Sequence, residues 1–181
     1  NNEYGAYLDF FTIDNVIYNN YFHDNTYNAV DKSLNRNKWN ITKTLGTNIV
    51  SGPTISGNYW DDYDETSEGA SDSNGDGIAD NPYTIYTVNT DKGPLLDTII
   101  PWIGIPQISP SVQTLGKYTN ISVTVSDNTK IKQVFLNLTD PNGQHNNFSI
   151  TQNKTGTIYY CNKRFSPTGN YSFTIEVKDP R

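Results

Sequence analysis

The second half of the chain alternates apolar and polar residues in short segments. The segments are NISVTVSD, KQVFLNLTD and NYSFTIEVKD. Their apolar positions are Ile121, Val123 and Val125, then Val134, Leu136 and Leu138, and finally Tyr171, Phe173, Ile175 and Val177. A period of two is typical of strands with one buried face, and Pro141-Asn142-Gly143 supplies a turn. The pattern predicts a β-sandwich for this half.

The first half has shorter apolar segments and a faint internal repeat. YGAY at residues 4–7 returns as YNAV at residues 27–30, which is 23 positions later. A period in the low twenties is about one coil of a parallel β-solenoid, in which each strand stacks on its equivalent in the next coil. Between the halves, DTIIPWIGIPQISP contains three prolines. We expect this segment to be an extended junction leading into a first edge strand.

Composition favours strands and turns over helices, because Asn, Ser and Gly compete locally with helix formation. The net charge of -6 offers no basic stripe for phosphates, so nucleic acid is not expected as a partner. No apolar run approaches the length of about 18 residues that spans a membrane. Cys161 is the single cysteine, which excludes an internal disulfide. The chain has no methionine, and we expect it to be a piece of a longer protein.

The segment DSNGDGIAD has the donor spacing of a calcium loop. The predicted ligands are Asp72, Asn74, Asp76, Ile78 through its carbonyl, and Asp80. They occupy positions 1, 3, 5, 7 and 9 of the EF-hand loop pattern, and Gly77 occupies the turn at position 6. Position 12 is Tyr83 instead of glutamate, so the loop is not an EF-hand, and we expect Asp61, Asp62 or Asp64 to complete the shell. The alternative is a solvated acidic loop with Asx-turns and no metal.

Six Asn-x-Ser/Thr sequons are candidate N-glycosylation sites. They lie at Asn40, Asn120, Asn137, Asn147, Asn153 and Asn170. Chance explains much of this number in an Asn-rich chain. Strand alternation places Asn120, Asn137, Asn147 and Asn170 on the outward face, which favours their modification.

Residues of the first half resemble a known family. The segments are NNYF at 19–22, KWN at 38–40, GNYW at 57–60 and the loop with its following NPY, residues 72–83. Over about residues 4–97 the chain resembles the C-terminal end of NosD-like right-handed β-helix proteins, also described as carbohydrate-binding and sugar-hydrolase repeat domains of archaeal cell surfaces. The family name refers to copper, but the chain has no methionine and no histidine cluster, so no copper site is expected. His23 and His145 are expected to be solvated loop residues.

The second half resembles bacterial and archaeal immunoglobulin-like surface modules over about residues 99–180. The resemblance rests on VSDNTKIKQVFLNLTDPNG followed by SPTGNYSFTIEVKD. The predicted fold class is therefore all-β. Residues 1–97 are expected to form the end of a right-handed parallel β-helix with a calcium loop, and residues 98–181 an Ig-like β-sandwich.

Two functions compete for this architecture. The first is a structural or adhesive module of an extracellular cell-surface protein, such as an archaeal S-layer, sheath or stalk, with the open solenoid edge near Tyr4 as a candidate surface for self-association. The alternative is the C-terminal part of a polysaccharide-binding or polysaccharide-degrading β-helix enzyme with its active site upstream. Candidate catalytic carboxylates are Asp9, Asp14, Asp24 and Asp31. A glycosidase needs two carboxyl groups across a bound sugar, and aspartates in solenoids are usually turn residues, so we expect no enzyme activity in this chain.

Overall fold

The computed structural model describes residues 2–179, and this part of the chain is all-β. Its contacts divide it into two compact units, one ending at Ile99 and the other beginning at Ile100. The outer ends of the two predicted domains, residues 1 and 181, lie outside the described residues. Apart from one 3₁₀ turn, Thr66–Glu68, the regular elements in residues 2–179 are strands. No helix there is long and apolar enough to cross a membrane.

Unit 1 contains eight short strands, which pair only in twos. They are β1 (Asn2–Leu8), β2 (Tyr21–Phe22), β3 (Asn25–Asp31), β4 (Thr44–Leu45), β5 (Thr54–Ile55), β6 (Tyr59–Trp60), β7 (Tyr83–Ile85) and β8 (Asn89–Asp91). The pairs β1–β3 and β2–β6 are parallel, whereas β4–β5 and β7–β8 are antiparallel.

The parallel pairing follows the internal repeat. Tyr4 lies opposite Tyr27 and Ala6 opposite Ala29, so the 23-residue period is confirmed as the register of β1 on β3. The sequence separation between residues stacked on one another changes along the unit. It is 22 residues for the hydrogen-bonded pair Asn15 and Asn37, and 38 residues for the pair Asn20 and Asn58.

The 16-residue difference in spacing is taken up by one excursion of the chain, residues 41–56. This excursion carries the β4–β5 hairpin. The backbone N–H of Ile41 donates to the carbonyl of Ser56 at 2.9 Å and closes its neck. The excursion therefore leaves and rejoins the parallel stack at nearly one point.

Aromatic stacking fills the core of unit 1. The Trp60 ring lies between Phe22 at 4.5 Å and Tyr83 at 4.3 Å, with nearly parallel planes on both sides. Trp39 packs at an angle against the same group. Such offset stacks add stability beyond the area that they bury.

Unit 2 is built from two antiparallel groups of strands around one core. Its strands are β9 (Trp102–Ile103), β10 (Gln107–Ser109), β11 (Tyr118–Ser126), β12 (Gln133–Thr139), β13 (His145–Ser149), β14 (Lys154–Thr155), β15 (Ile158–Arg164) and β16 (Ser172–Lys178). The order is β10-β11-β15-β14 in one group, with β9 also on β11, and β13-β12-β16 in the other.

The alternation in the sequence correctly predicted the buried face of unit 2. The apolar positions of β11 and β12 are almost completely buried, while those of β16 are partly buried against the same core. The proline-rich segment leads into an edge strand, β10, as expected, but it also contains a second short strand, β9. Its residues Trp102–Ile103 and Gln107–Ser109 both pair with β11, because the prolines at 101, 106 and 110 lie outside these strands and leave their N–H groups available.

Candidate functional site

The acidic loop at residues 72–80 folds around its own backbone N–H groups. Asp72 accepts from Gly75 and Gly77 through its two carboxylate oxygens, both at 2.8 Å. Asp76 Oδ1 accepts from the N–H of Ile78 at 3.0 Å. Gly77 has φ of +78°, a left-handed conformation that glycine adopts without strain. The predicted sharp turn at this position is therefore present.

Two further predicted ligands of the loop, Asn74 and Asp80, also have hydrogen-bond partners. Asn74 Oδ1 accepts from the N–H of Asp76 at 3.0 Å, and Asp80 Oδ2 accepts from the N–H of Ser73 at 2.9 Å. The Lys43 ammonium, which comes from the neck of the hairpin excursion, contacts Asp76 Oδ2. This contact is the main reason that the pKa of Asp76 lies below its usual range. A cationic group of the chain itself thus contacts one of the predicted calcium ligands.

The three upstream aspartates expected to complete the loop each have other partners. Asp61 accepts from the side chain of Asn28 at 2.8 Å. Asp62 Oδ2 accepts from Tyr83 Oη at 3.0 Å. Asp64 Oδ2 accepts from Tyr59 Oη at 2.5 Å. All three aspartates therefore form hydrogen bonds with residues of β3, β6 or β7.

Unit 1 contains two groups of residues whose side chains could bind a metal ion. Neither group belongs to the acidic loop. In each group, one ligand atom per residue lies within 4.8 Å of the others. One group is Asp64, Glu65 and Glu68, and the other is His23, Asp24 and Asp61.

The fold explains the second of these groups. His23 follows β2 and Asp61 follows β6, and these two strands pair in parallel, so both residues leave the sheet at the same level. The distances from His23 Nδ1 are 3.2 Å to Asp24 Oδ2 and 4.0 Å to Asp61 Oδ2. The N–H of Asp24 donates to Asp61 Oδ2 at 2.8 Å and ties the two residues together.

Sequence analysis missed a repeated buried motif in unit 1. The pattern Asn-x-Trp occurs twice, as Asn37-Lys38-Trp39 and as Asn58-Tyr59-Trp60. In each motif the Trp Nε1–H donates a hydrogen bond to a buried carboxylate. Trp39 donates to Asp31 Oδ2 at 2.8 Å, and Trp60 donates to Asp91 Oδ2 at 3.1 Å. Both aspartates have 0% exposure. The repeated Asn-x-Trp spacing was the signal available in the sequence.

The two buried carboxylates have opposite pKa shifts. Burial raises the pKa of Asp91 to about 6, although four hydrogen bonds from Asn58, Trp60 and Gly93 oppose this effect. Burial also acts to raise the pKa of Asp31, but hydrogen bonds from Ser33, Trp39 and Asn37 hold it below the usual range. Asp31, proposed above as a candidate catalytic carboxylate, is thus a buried acceptor in the core.

The remaining candidate residues are spread over the surface of the two units. Asp9 accepts from Thr12 and Phe11 in a local turn, and Asp14 is exposed. His145 Nδ1 lies 2.9 Å from Thr139 Oγ1 on β12. Among the sequon residues, Asn147, Asn153 and Asn170 are exposed, whereas Asn40, Asn120 and Asn137 are half-buried.

Exposed tyrosines form a group on the outward side of β1 and β3. The Tyr4 and Tyr27 rings stack at 5.5 Å, and Tyr7 meets Tyr4 edge-on at 5.2 Å. Lys32 Nζ lies 5.1 Å from the centre of the Tyr7 ring. Tyr27 is 54% exposed, so it presents apolar ring surface to solvent.

Comparison with known proteins links part of unit 1 to a family. Residues 1–65 match the model of the family described as periplasmic copper-binding protein (NosD). No curated protein and no solved structure matches the chain. The family match ends before the acidic loop and before unit 2. The N-terminal 65 residues of the chain are therefore similar to NosD, and the match supports a NosD-like parallel β-helix origin for this segment.

Proposed function

We propose that the chain is a structural module of an extracellular cell-surface protein. In this module, unit 1 is the end of a right-handed parallel β-helix stabilised by calcium, and unit 2 is an Ig-like β-sandwich. The observation that carries the proposal is the in-register stacking in unit 1, where side chains of one kind lie directly above one another. Adhesion, or a place in an S-layer, sheath or stalk, is the role that this rigid architecture favours.

The stacked asparagines support the role of a scaffold. The Asn15 side chain donates to Asn37 Oδ1 at 3.0 Å, and the Asn20 side chain donates to Asn58 Oδ1 at 2.9 Å. In both steps the backbone N–H of the first residue donates to the same oxygen. Such ladders satisfy polar groups at the bends of a coil, where strand hydrogen bonds end. Repetition of one bonding pattern in two successive steps is typical of a stacked scaffold.

Calcium binding at the acidic loop requires one local exchange. The ion takes the place of the Lys43 ammonium at Asp76 Oδ2, while Asp72, Asn74, Asp80 and the Ile78 carbonyl supply the other protein oxygens. Calcium prefers six to eight oxygen ligands, so water or an upstream carboxylate completes the shell. A loop this polar buries little apolar area, and the ion supplies the free energy that offsets its ordering entropy.

Calorimetry with and without a chelator tests the calcium site. We expect calcium to raise the melting temperature of unit 1 by stabilising the native state, by about 2.7 kcal/mol at a hundredfold excess over Kd. Unit 2 contributes no predicted ligand, so its transition should not move. Asp76→Ala should abolish the effect, and Lys43→Ala should strengthen calcium binding because it removes the competing ammonium. Identical melting of unit 1 in both conditions would rule out the site.

Carbohydrate binding is the second candidate, and the exposed tyrosine group favours it. Sugar rings pack their C–H faces against aromatic rings, and the exposed ring of Tyr27 offers such a face, while Lys32 lies over the ring of Tyr7 in the same group. Gel retardation in a panel of neutral polysaccharides tests this function. We expect Tyr27→Ala to lose any retardation and Tyr160→Ala, which alters a half-exposed tyrosine of unit 2, to keep it. Equal mobility of all three proteins in every gel would refute carbohydrate binding at this surface.

A further inference from the structure

Strand β16 is an edge of unit 2 with one side unpaired. It pairs with β12, and no other strand of residues 2–179 pairs with it. On an edge strand, the backbone N–H and C=O groups of alternate residues point away from the paired neighbour and have no partner in the sheet. β16 has seven residues, Ser172–Lys178, and contains no proline. Its outer side therefore has the length and the hydrogen-bonding groups to accept another strand.

The apolar side of β16 is incompletely covered. Val134 and Leu136 on the neighbouring strand β12 have 0% exposure. Phe173, Ile175 and Val177 face the same core, but each is only half-buried. A cavity of about 310 Å³ lies between the two groups of strands near the start of β16, and Phe173 is part of its wall. The core of unit 2 thus lacks apolar cover along this edge.

The other edge strands of unit 2 have features that discourage strand pairing. The β9–β10 edge is interrupted by prolines at 101, 106 and 110. β14 has only two residues, and in β13 Phe148 is half-buried while the other four residues are exposed. Prolines, short strands and polar side chains are common protections of a sheet edge. Among the edge strands of residues 100–179, β16 alone combines length with alternating half-buried apolar residues.

Unit 2 has the strand order of an Ig-like sandwich except at this edge. One sheet of such a sandwich has the order A-B-E-D, and the other contains C-F-G. The order β10-β11-β15-β14 corresponds to the first sheet, and β12-β16 corresponds to C-F. The G position, next to β16, has no strand among the described residues. The G position is defined by the Ig-like fold proposed above, whereas the unpaired edge of β16 does not depend on it.

We propose that β16 pairs with β16 of a second copy of the chain, in antiparallel orientation around a two-fold axis at Ile175. This arrangement joins two three-stranded groups, one from each copy, into a continuous sheet of six strands. Phe173 then lies beside Val177 of the second copy, so the half-buried apolar residues cover one another. The open backbone groups of each strand bind those of the other, as in other cases of strand addition. The interface lies in unit 2 and is distinct from the solenoid edge near Tyr4.

The polar side of β16 agrees with this register. Thr174 lies opposite Glu176 of the second copy, and Ser172 lies opposite Lys178 of the second copy. No like charges face each other, whereas a shift of the axis to Glu176 would place two glutamates directly opposite one another. Like charges at opposite positions destabilise a strand pair, and opposite charges stabilise it. The charges of β16 therefore favour the register centred on Ile175.

Sedimentation equilibrium of the full chain, produced without glycans, tests the proposal through one exposed position. Thr174→Glu places like charges opposite each other twice per dimer, whereas Thr174→Lys places opposite charges there. We expect a dimer whose Kd rises by about two- to thirtyfold in Thr174→Glu and falls by a similar factor in Thr174→Lys. Asn147→Glu and Asn147→Lys are the matched controls, because Asn147 lies on β13, the opposite edge of the same group of strands. Both should dimerise like the unaltered chain.

Hydrogen exchange provides a second measurement that needs no substitution. With rising protein concentration, the outward amides of β16 should exchange more slowly, while the exchange of β13 should not change. A chain that is monomeric at every concentration would overturn the proposal and leave this edge to a strand from another part of a longer protein. Equal Kd values for Thr174→Glu and Thr174→Lys, or a change only in the Asn147 variants, would place the contact elsewhere and also overturn it.

Discussion

Replacing Asp91 by asparagine is expected to remove a pH dependence from the stability of unit 1. Burial raises the pKa of Asp91 to about 6, while its reference value is 3.8. The native protein therefore binds this proton more tightly than the unfolded chain does. The resulting stabilisation is fully present below about pH 3.8 and is lost as the pH rises through about 6.

The size of the effect follows from the difference between the folded and unfolded pKa values of Asp91. A difference of one pH unit corresponds to about 1.4 kcal/mol, so the full range is about 3 kcal/mol. Between about pH 4.5 and pH 7.5, the free energy of unfolding should fall by about 2 kcal/mol. Asp31, Asp9 and Asp76 have pKa values below their usual range, so their contributions change mainly below this window.

Urea unfolding followed by tryptophan fluorescence measures this dependence. Trp39 and Trp60 are buried in unit 1, whereas Trp102 is 61% exposed and changes little on unfolding. The unaltered chain should lose stability toward neutral pH, and Asp91→Asn should have a flat profile whatever its absolute stability. Asp31→Asn is the control that keeps the slope. Parallel profiles for the unaltered chain and Asp91→Asn, or an NMR titration midpoint of the Asp91 carboxyl below about 4, would refute the reasoning.

Three further predictions concern packing and the surface. Leu136→Ala creates a cavity in the core of unit 2, where the residue has 0% exposure. It should cost about 2–5 kcal/mol in the melting of that unit alone, whereas Val112→Ala, which is 86% exposed, should change little. Gly57→Ala should prevent stable folding of unit 1, since its Cβ would overlap the carboxylate of Asp91. Gly116→Ala, whose Cβ meets nothing within 4 Å, carries only the strain of its φ of +79° and should still fold. Normal expression and melting of Gly57→Ala would contradict this. Mass spectrometry of native material should find glycans on the exposed sequons, which are those at Asn147, Asn153 and Asn170. Unmodified peptides at every site would refute glycosylation.

Local periodicity predicted the strand faces and one parallel register. Alternation marks the buried side of β11 and β12 because a strand exposes its residues to two different environments in turn. The repeat at Tyr4 and Tyr27 predicted the register of β1 on β3 because stacked coils place equivalent residues together. Both signals lie within short stretches of sequence, so neither depends on the long-range path of the chain.

Contacts across long sequence separations were not predictable in this way. His23 meets Asp61 only because the chain rejoins the stack after the excursion at residues 41–56. The contact of Lys43 with Asp76 links that excursion to the acidic loop, and no pattern in either segment indicates it. The calcium donors at residues 72–80 were predicted from spacing, and their occupation remains a prediction.

The closed neck of the hairpin excursion makes unit 1 tolerant of inserted sequence. Ile41 and Ser56 are joined by a hydrogen bond, so the two ends of the excursion are held together where it leaves and rejoins the stack. Doubling the length of such a loop costs only about 0.6 kcal/mol in closure entropy. Leu45, at its β4 strand, is 88% exposed and has little packing to lose. The part of the excursion around Leu45 is therefore a suitable insertion point for a peptide tag or a small domain, provided that the buried Val50, which packs against Tyr59 and Leu95, is kept.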